Sequence, residues 1–562
     1  MYHRLVESIK KIVCMSRKIA FTLSLLVLPL LSMAQDGGFF SNLDETINEK
    51  VEPIAEWWEA FVLSSFSVAG VSIPLVLIIL IGGATFFTFY FGFVNITKVP
   101  FAIQVVRGKF DFVEKQGAED FHPEDELQTR DGDIPDTVRD ESRDGEVNHF
   151  QALTAAVSAT VGLGNIAGVA IAIGLGGPGA TFWMILAGFL GMSSKFVECT
   201  LGVKYRDVDA DGTVHGGPMY YLSKGFIKRN LPNVGRVLAV LFAILCVGAS
   251  FGGGNMFQAN QSAAQFVQQF DIESGYAGFL FGIFLAILVG VVIIGGIRRI
   301  GKVTEKVVPF MAGIYVLAAL IIIGAHYADI PTAFGMIINQ AFNPIAIAGG
   351  FIGVLVTGFQ RAAFSNEAGV GSASIAHSAV KTKYAASEGV VALLEPFIDT
   401  VVICTLTALV IIFFNMDGAF VYGAVESNEV LITATGEKLG GVNLTSAAFD
   451  DVIPGFSVVL TIAVILFAFS SMLSWSYYGL QSWKYLFGKG AKADLTYKVL
   501  FLLFIVIGSA ASLGAVIKFS DAMILAMVFP NMIGLIFLVK DVREEMNKYM
   551  KAIGRRFGVD ES

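Results

Sequence analysis

Seven stretches of this 562-residue chain run without one charged side chain: residues 71–91, 237–270, 275–297, 307–325, 455–481, 499–517 and 522–539. A helix needs roughly 20 consecutive apolar residues to cross the hydrocarbon core of a bilayer. Each stretch reaches or nearly reaches that length, so the chain reads as an all-α polytopic membrane protein. The alternative is a soluble core of many long buried helices, and it sits badly with the composition. Hydrophobic residues make up 55% of the chain and charged residues 15%, against about 45–50% and about 25% in an ordinary soluble domain.

The same inventory excludes several kinds of chemistry. The four cysteines (Cys14, Cys199, Cys246, Cys404) are scattered, and the six histidines (His3, His122, His149, His215, His326, His377) form no HExxH pair. Neither a disulfide framework nor zinc spacing is present, and no catalytic cofactor is expected. No nucleotide-binding domain is evident, and no nucleic-acid partner is expected. The net charge of −8 says little about partners, because orientation in a membrane follows where Lys and Arg sit.

The N-terminus reads as a targeting segment. Lys10, Lys11, Arg17 and Lys18 precede a short apolar run, 19–31, and then Ser32, Met33 and Ala34. This pattern predicts a signal peptide over 1–34, cleaved after Ala34; an uncleaved anchor is the alternative. Residues 35–70 then form an exported segment, and a first transmembrane helix over 71–93 enters the cytoplasm. An insert over 115–148, dense in Asp and Glu and almost without aromatics, lacks the apolar surface to fold alone. Ten further spans follow at about 150–174, 178–204, 237–262, 275–297, 305–326, 347–379, 388–414, 454–481, 498–517 and 519–540.

Positive residues test this count of eleven helices. Lys204, Arg206, Lys224, Lys228, Arg229 and Arg236 fall in one predicted inner loop; Arg298, Arg299, Lys302 and Lys306 fall in the next. Lys484, Lys489 and Lys492 lie in a third, and Lys540, Arg543, Lys548, Lys551, Arg555 and Arg556 mark a cytoplasmic tail over 541–562. The predicted outer segments 265–274 and 326–342 hold no Lys or Arg. This alternation is that of a multi-pass protein of the inner cell membrane, with its mature N-terminus outside and its C-terminus in the cytoplasm.

Two spans are not ordinary. Residues 156–174 carry Gly162, Gly164 and Asn165 in mid-helix, and residues 358–377 carry Arg361, Ser365, Asn366, Glu367, Gly369 and Gly371. Glycine weakens a helix interior, and non-helical backbone at membrane depth persists only where protein or water satisfies it. Each such span is followed by four plain ones. Five helices over 150–326 and five over 347–540, each set opening on a broken helix, match an inverted-repeat transporter. There, half-helix N-termini face a carboxylate and unwound carbonyls face a cation. For the glycines alone, a close-packed helix interface is the alternative.

The blocks TVGLGNIAGVAIAIGLGGPGATFWM (160–184), HGGPMYYL (215–222), FQRAAFSNEAGVGSASIA (359–376) and IDTVVICTLTALVI (398–411) resemble the alanine/glycine:cation symporter family. The resemblance runs from about residue 71 to 539. It implies eleven helices with a LeuT-like core: a 5+5 inverted repeat with two broken helices, plus one preceding helix. It also implies symport of alanine or glycine with sodium as coupling ion, or with a proton. By the same resemblance, the amides near Gly162 and Gly164, with Asn165, Gln258, Phe364, Ser365 and Asn366, hold the substrate. Ser158, Thr160, Val161, Asn165, Phe467, Ser470 and Ser471 hold sodium, a hard ion that prefers oxygen ligands. On spacing alone, bonds back to the carbonyls of the preceding turn are the favoured reading of the paired serines, and the resemblance is what turns it toward sodium.

Ionisable groups within spans are costly and usually paired or functional. Arg361 and Glu367 are six apart, too far to meet on one helix face. Glu395 and Asp399, one turn apart, can share a cation or pair with Arg361; Lys195 and Glu198 suit a local ion pair. Structural pairing is the reading for these groups, with a gate as the second role for Arg361. An intramembrane enzyme is the competing function, but no second transmembrane aspartate motif or triad accompanies Asp399. An ion channel is a third, without any filter-like repeat. Lipid, sodium and a small amino acid are therefore the expected partners; the sequence leaves the oligomeric state open.

Overall fold

A computed structural model describes residues 56–68, 71–111, 113, 145–209, 212–272, 276–343, 350–426 and 428–554. The expected signal peptide and nearly all of the acidic insert lie outside the described residues. Among the latter, seven helices are long and apolar enough to cross a bilayer, from Gly179–Lys204 to Leu513–Ala552. An eighth span arises if His149–Thr160 and Gly164–Gly176, bent by 48°, count as one. Leu75–Tyr90 and Ala277–Ile293 are apolar but shorter.

In chain order the helices used below are α1 (Leu75–Tyr90), α2 (His149–Thr160), α3 (Val169–Gly176), α4 (Gly179–Lys204), α5 (Pro232–Phe251), α6 (Phe257–Gln269), α7 (Ala277–Ile293) and α8 (Gly296–Ala325). They continue with α9 (Gly350–Asn366), α10 (Ala373–His377), α11 (Ala385–Ala392), α12 (Thr405–Phe414), α13 (Phe456–Phe487), α14 (Ala491–Ala510), α15 (Leu513–Ala526) and α16 (Val528–Ala552). Asn148 starts α2 with a capping box: its side chain accepts from the Gln151 N–H at 2.8 Å, and Gln151 returns the contact. Such a cap contributes about 1 kcal/mol.

The two interrupted helices lie in the middle of the bundle. α4 packs on α1, α9, α10 and α11, while α13 packs on α2, α5, α6 and α8. Gly254 shows how tight the core is, since a Cβ there would lie 2.2 Å from Trp475 Cγ. Outward faces are apolar instead: α7 exposes Leu280, Phe284, Ile287 and Val291, and α8 exposes Phe310, Leu317, Leu320 and Ile321. Apolar surface of that extent belongs against lipid. The protein is a mostly helical, multi-pass membrane protein.

One expected boundary is corrected. The spans expected at 498–517 and 519–540 put the boundary at residue 518, but α14 ends at Ala510 and α15 runs through Lys518. The turn falls at Ala511 and Ser512, both extended. Lys518 reaches Glu56 at 2.8 Å, so its charge is met without ending the helix.

Candidate functional site

The first interruption is short. The α2 hydrogen-bond ladder stops when Val161 bonds back to the Val157 carbonyl, and the chain resumes as a π-helical turn over Gly164–Gly168. Asn165 bridges the gap. Its Oδ1 accepts from the Gly162 N–H at 2.9 Å, and its Nδ2 donates to Asp399 Oδ1 at 2.6 Å and to the Asp399 carbonyl at 3.0 Å. Gln258 Oε1 accepts from the Leu163 N–H at 3.1 Å, and its Nε2 donates to the Gly253 carbonyl at 3.1 Å. A side chain at Gly162 would displace the Ser471 hydroxyl, because a Cβ would lie 2.3 Å from Ser471 Oγ.

The second interruption is longer. α9 ends at Asn366 and α10 begins at Ala373, with Glu367, Gly369 and Gly371 at φ of 55°, 86° and 97°. Ser365 donates to Asp399 Oδ2 at 2.9 Å, and Thr400 donates to the same oxygen at 2.6 Å. Asp399 thus gathers Asn165 from one break and Ser365 from the other, fully buried. Phe364 lies beside the first break: its ring is 3.6 Å from the Cβ position of Gly164 and meets Phe257 edge-on at 5.1 Å.

The paired serines divide. Ser470 donates to the Phe467 carbonyl at 3.0 Å, and its own carbonyl accepts from Ser158 at 2.7 Å. Ser471 Oγ is buried, beside Gly162, without a hydrogen-bond partner. A buried hydroxyl left unsatisfied costs about 1–3 kcal/mol, so this atom suits an oxygen-seeking cation. Thr160 Oγ1 bonds weakly back to Ala156 and Val157 at 3.4 Å.

Several expected partners are corrected. Arg361 pairs with Asp521 of α15, not with Glu395 or Asp399. Lys195 pairs across helices with Glu395 at 2.9 Å rather than locally with Glu198, whose carboxylate accepts from Asn531 at 3.1 Å. Glu395 and Asp399 do not share a partner, because the π-helix Phe397–Cys404 turns them to different neighbours. Asn366 uses its amide on Thr400 Oγ1 and on the Ala368 N–H, so it braces the second break. Glu367 accepts from Trp475 Nε1 at 3.0 Å and from Ser372. Asn260 holds the Gly508 and Ala511 carbonyls at the end of α14. The reading of the residues missed Thr400, Trp475 and the central position of Asp399; an aspartate deep in an apolar run was the available signal for the last.

The model of the sodium:alanine symporter family matches residues 133–558. The chain belongs to that family. The sodium/alanine symporter AgcS of Methanococcus maripaludis is 39% identical over 466 residues, covering 83% of this chain and 92% of that protein. The amino-acid carrier protein AlsT of Bacillus subtilis is 33% identical, covering 74% and 82%. Among solved structures, MhsT in complex with L-phenylalanine matches with a TM-score of 0.47 at 15% identity, covering 71% of this chain and 100% of that one. Family membership places the chain among transporters, not enzymes.

Proposed function

We propose that this protein is a secondary transporter that carries a small neutral amino acid, such as alanine or glycine, together with sodium by alternating access. The observation that carries the reading is the meeting of Asn165, Ser365 and Asp399 between two interrupted helices. Asp399 supplies a negative charge for a cation or an ammonium group, and the N-terminal end of the helical turn that opens at Gly164 suits a carboxylate. An α-amino acid bears both charges. Ser471, with the carbonyls of Ser158, Val161 and Phe467, forms a second oxygen-rich spot for sodium. Gln258 orients the first break, and Phe364 favours a small substrate side chain.

The eleven-helix topology belongs to this reading: five helices from α2 and five from α9, with the C-terminus in the cytoplasm. It puts the Arg206 and Lys204 end inside and the Arg361–Asp521 pair outside, as an outer gate. Labelled alanine and proteoliposomes test the proposal. Accumulation under an inward sodium gradient, absent with potassium or with a proton gradient, is expected. Uptake that is indifferent to sodium overturns the coupling, and no uptake of any small neutral amino acid overturns the substrate class.

A further inference from the structure

The inner ends of the two broken helices meet at one carboxylate: Glu388 of α11 faces His149 of α2 with one oxygen and His377 of α10 with the other, the latter at 2.6 Å. The outer side is fastened differently. Arg361 of α9 gives one guanidinium nitrogen to Asp521 of α15, and Gln360 donates to the same Asp521 oxygen at 3.2 Å. The remaining atoms of the pair, Arg361 Nη1 and Asp521 Oδ1, are buried without a hydrogen-bond partner. Parting Asp521 from Arg361 strands a desolvated guanidinium, which is strongly unfavourable unless another carboxylate takes its place.

The chain before α1 lies across this pair. Residues 56–62 are helical and lead into a hairpin of Ser65–Val68 with Val71–Pro74, whose second strand packs on α9. Val62 is fully buried, while Trp57 and Phe61 stack on each other and stay exposed, as aromatic side chains do at a membrane surface. Glu56 meets Lys518 of α15 at 2.8 Å. Glu59 lies three residues on from Glu56, and Asp521 three on from Lys518, so on each helix the next group of the same face falls toward the gate. Glu59 is within electrostatic reach of both Lys518 and Arg361, yet its carboxylate makes no hydrogen bond among the described residues. Burial pushes the Glu59 carboxyl above its ordinary value against the pull of Lys518. Its charge is under-compensated while Arg361 stays with Asp521.

We infer that residues 56–62 form an outer strap whose Glu59 takes over Arg361 when Asp521 leaves it, so that the outer gate opens by exchanging one carboxylate for another. This role rests on the outer-gate reading of Arg361 and Asp521 above. The hairpin holds the strap to α9, so Glu59 stays with the helix that bears Arg361 when α15 moves. The Glu56–Lys518 pair is largely exposed, and such pairs contribute little; it positions the strap without locking it. The strap precedes residues 133–558, the region that the family model matches.

The test uses the full-length protein in nanodiscs with spin labels at G335C and G514C. Gly335 lies on the outer helix Ile330–Phe342, which packs on α4 and α9, and Gly514 lies at the outer end of α15. A Cβ meets nothing within 4 Å at either position, and the described native cysteines are buried. The ratio of long to short distances is read in saturating sodium without amino acid. Glu59→Gln is expected to lower it by roughly three- to tenfold, the scale of one partly screened charge contact, and Glu59→Asp by less than about twofold. Asp521→Asn, which leaves Glu59 as the charged partner of Arg361, is expected to raise the ratio by roughly tenfold. In the Arg361→Gln, Asp521→Asn background, Glu59→Gln is expected to have no effect. An unchanged ratio in Glu59→Gln, or an equal fall in that neutral background, overturns the exchange. If Asp521→Asn shifts the ratio and Glu59→Gln does not, the strap alone is removed. If neither shifts it, the outer gate falls and the strap with it.

Discussion

The two breaks interrupt their helices in opposite ways. The first spans three residues and is held by two side chains, Asn165, which also reaches Asp399, and Gln258 on the Leu163 N–H. Around it lie the amides of two glycines and the unpartnered Ser471 hydroxyl. The second spans six residues, and its polar atoms are met by the protein itself: Trp475 and Ser372 on Glu367, Asn366 on Ala368, and Asn531 on the Gly369 carbonyl at 2.9 Å. Unwound backbone in a membrane must be satisfied somewhere. At the second break other helices do so; at the first, Asn165 and Gln258 take the Gly162 and Leu163 N–H groups, and the neighbouring Ser471 hydroxyl is the atom without a partner. Breaking a helix is therefore not in itself a binding signature; the unspoken-for atoms are.

This contrast can be broken in order of expected effect. Asn165→Ala removes the bridge across the first break, and initial-rate uptake of labelled alanine should fall by roughly 100-fold, about 3 kcal/mol for two lost buried contacts, while the protein still inserts and folds. Asp399→Asn keeps a polar group beside Asn165 and Ser365 but removes the charge. Its sodium half-saturation should rise by roughly tenfold or more, on the scale of one charge-assisted bond, and unaltered sodium dependence would strip Asp399 of its proposed role. Ser471→Ala should weaken sodium by roughly tenfold, about 1.4 kcal/mol. Ser470→Ala should cost less than about threefold, because that hydroxyl already bonds to Phe467. Equal effects at the two serines would erase the distinction between them. Trp475→Phe acts on the second break: it should lower thermal stability by about 1–3 kcal/mol through the stranded Glu367 carboxylate and leave sodium half-saturation nearly unchanged. A large change in sodium affinity there would mean that both breaks bind ligand.

Much of this was legible along the chain, and the exceptions have physical causes. Charge-free runs located most spans, and glycines beside Asn165 and around Glu367 located both breaks. Gly162 and Gly164 were singled out for backbone access; the contact of Gly162 with Ser471, over three hundred residues away, needed the fold. Glu395 and Asp399 were misjudged because i,i+4 neighbours share a face only in a regular α-helix. The π-helix after Pro396 shifts the register, sending one to Lys195 and the other to Asn165. Arg361 and Asp521 could not be matched by spacing, being 160 positions apart. Lys518 misled the boundary of α15, since a charge near the end of a membrane helix can find a partner without ending it.

Glu388 carries one more consequence. Its two oxygens are divided between His149 of α2 and His377 of α10, so one carboxylate fastens helices from both halves of the chain at the inner end. Loss of this one carboxylate would undo both side-chain contacts at once, where two separate ion pairs would have to be lost one by one.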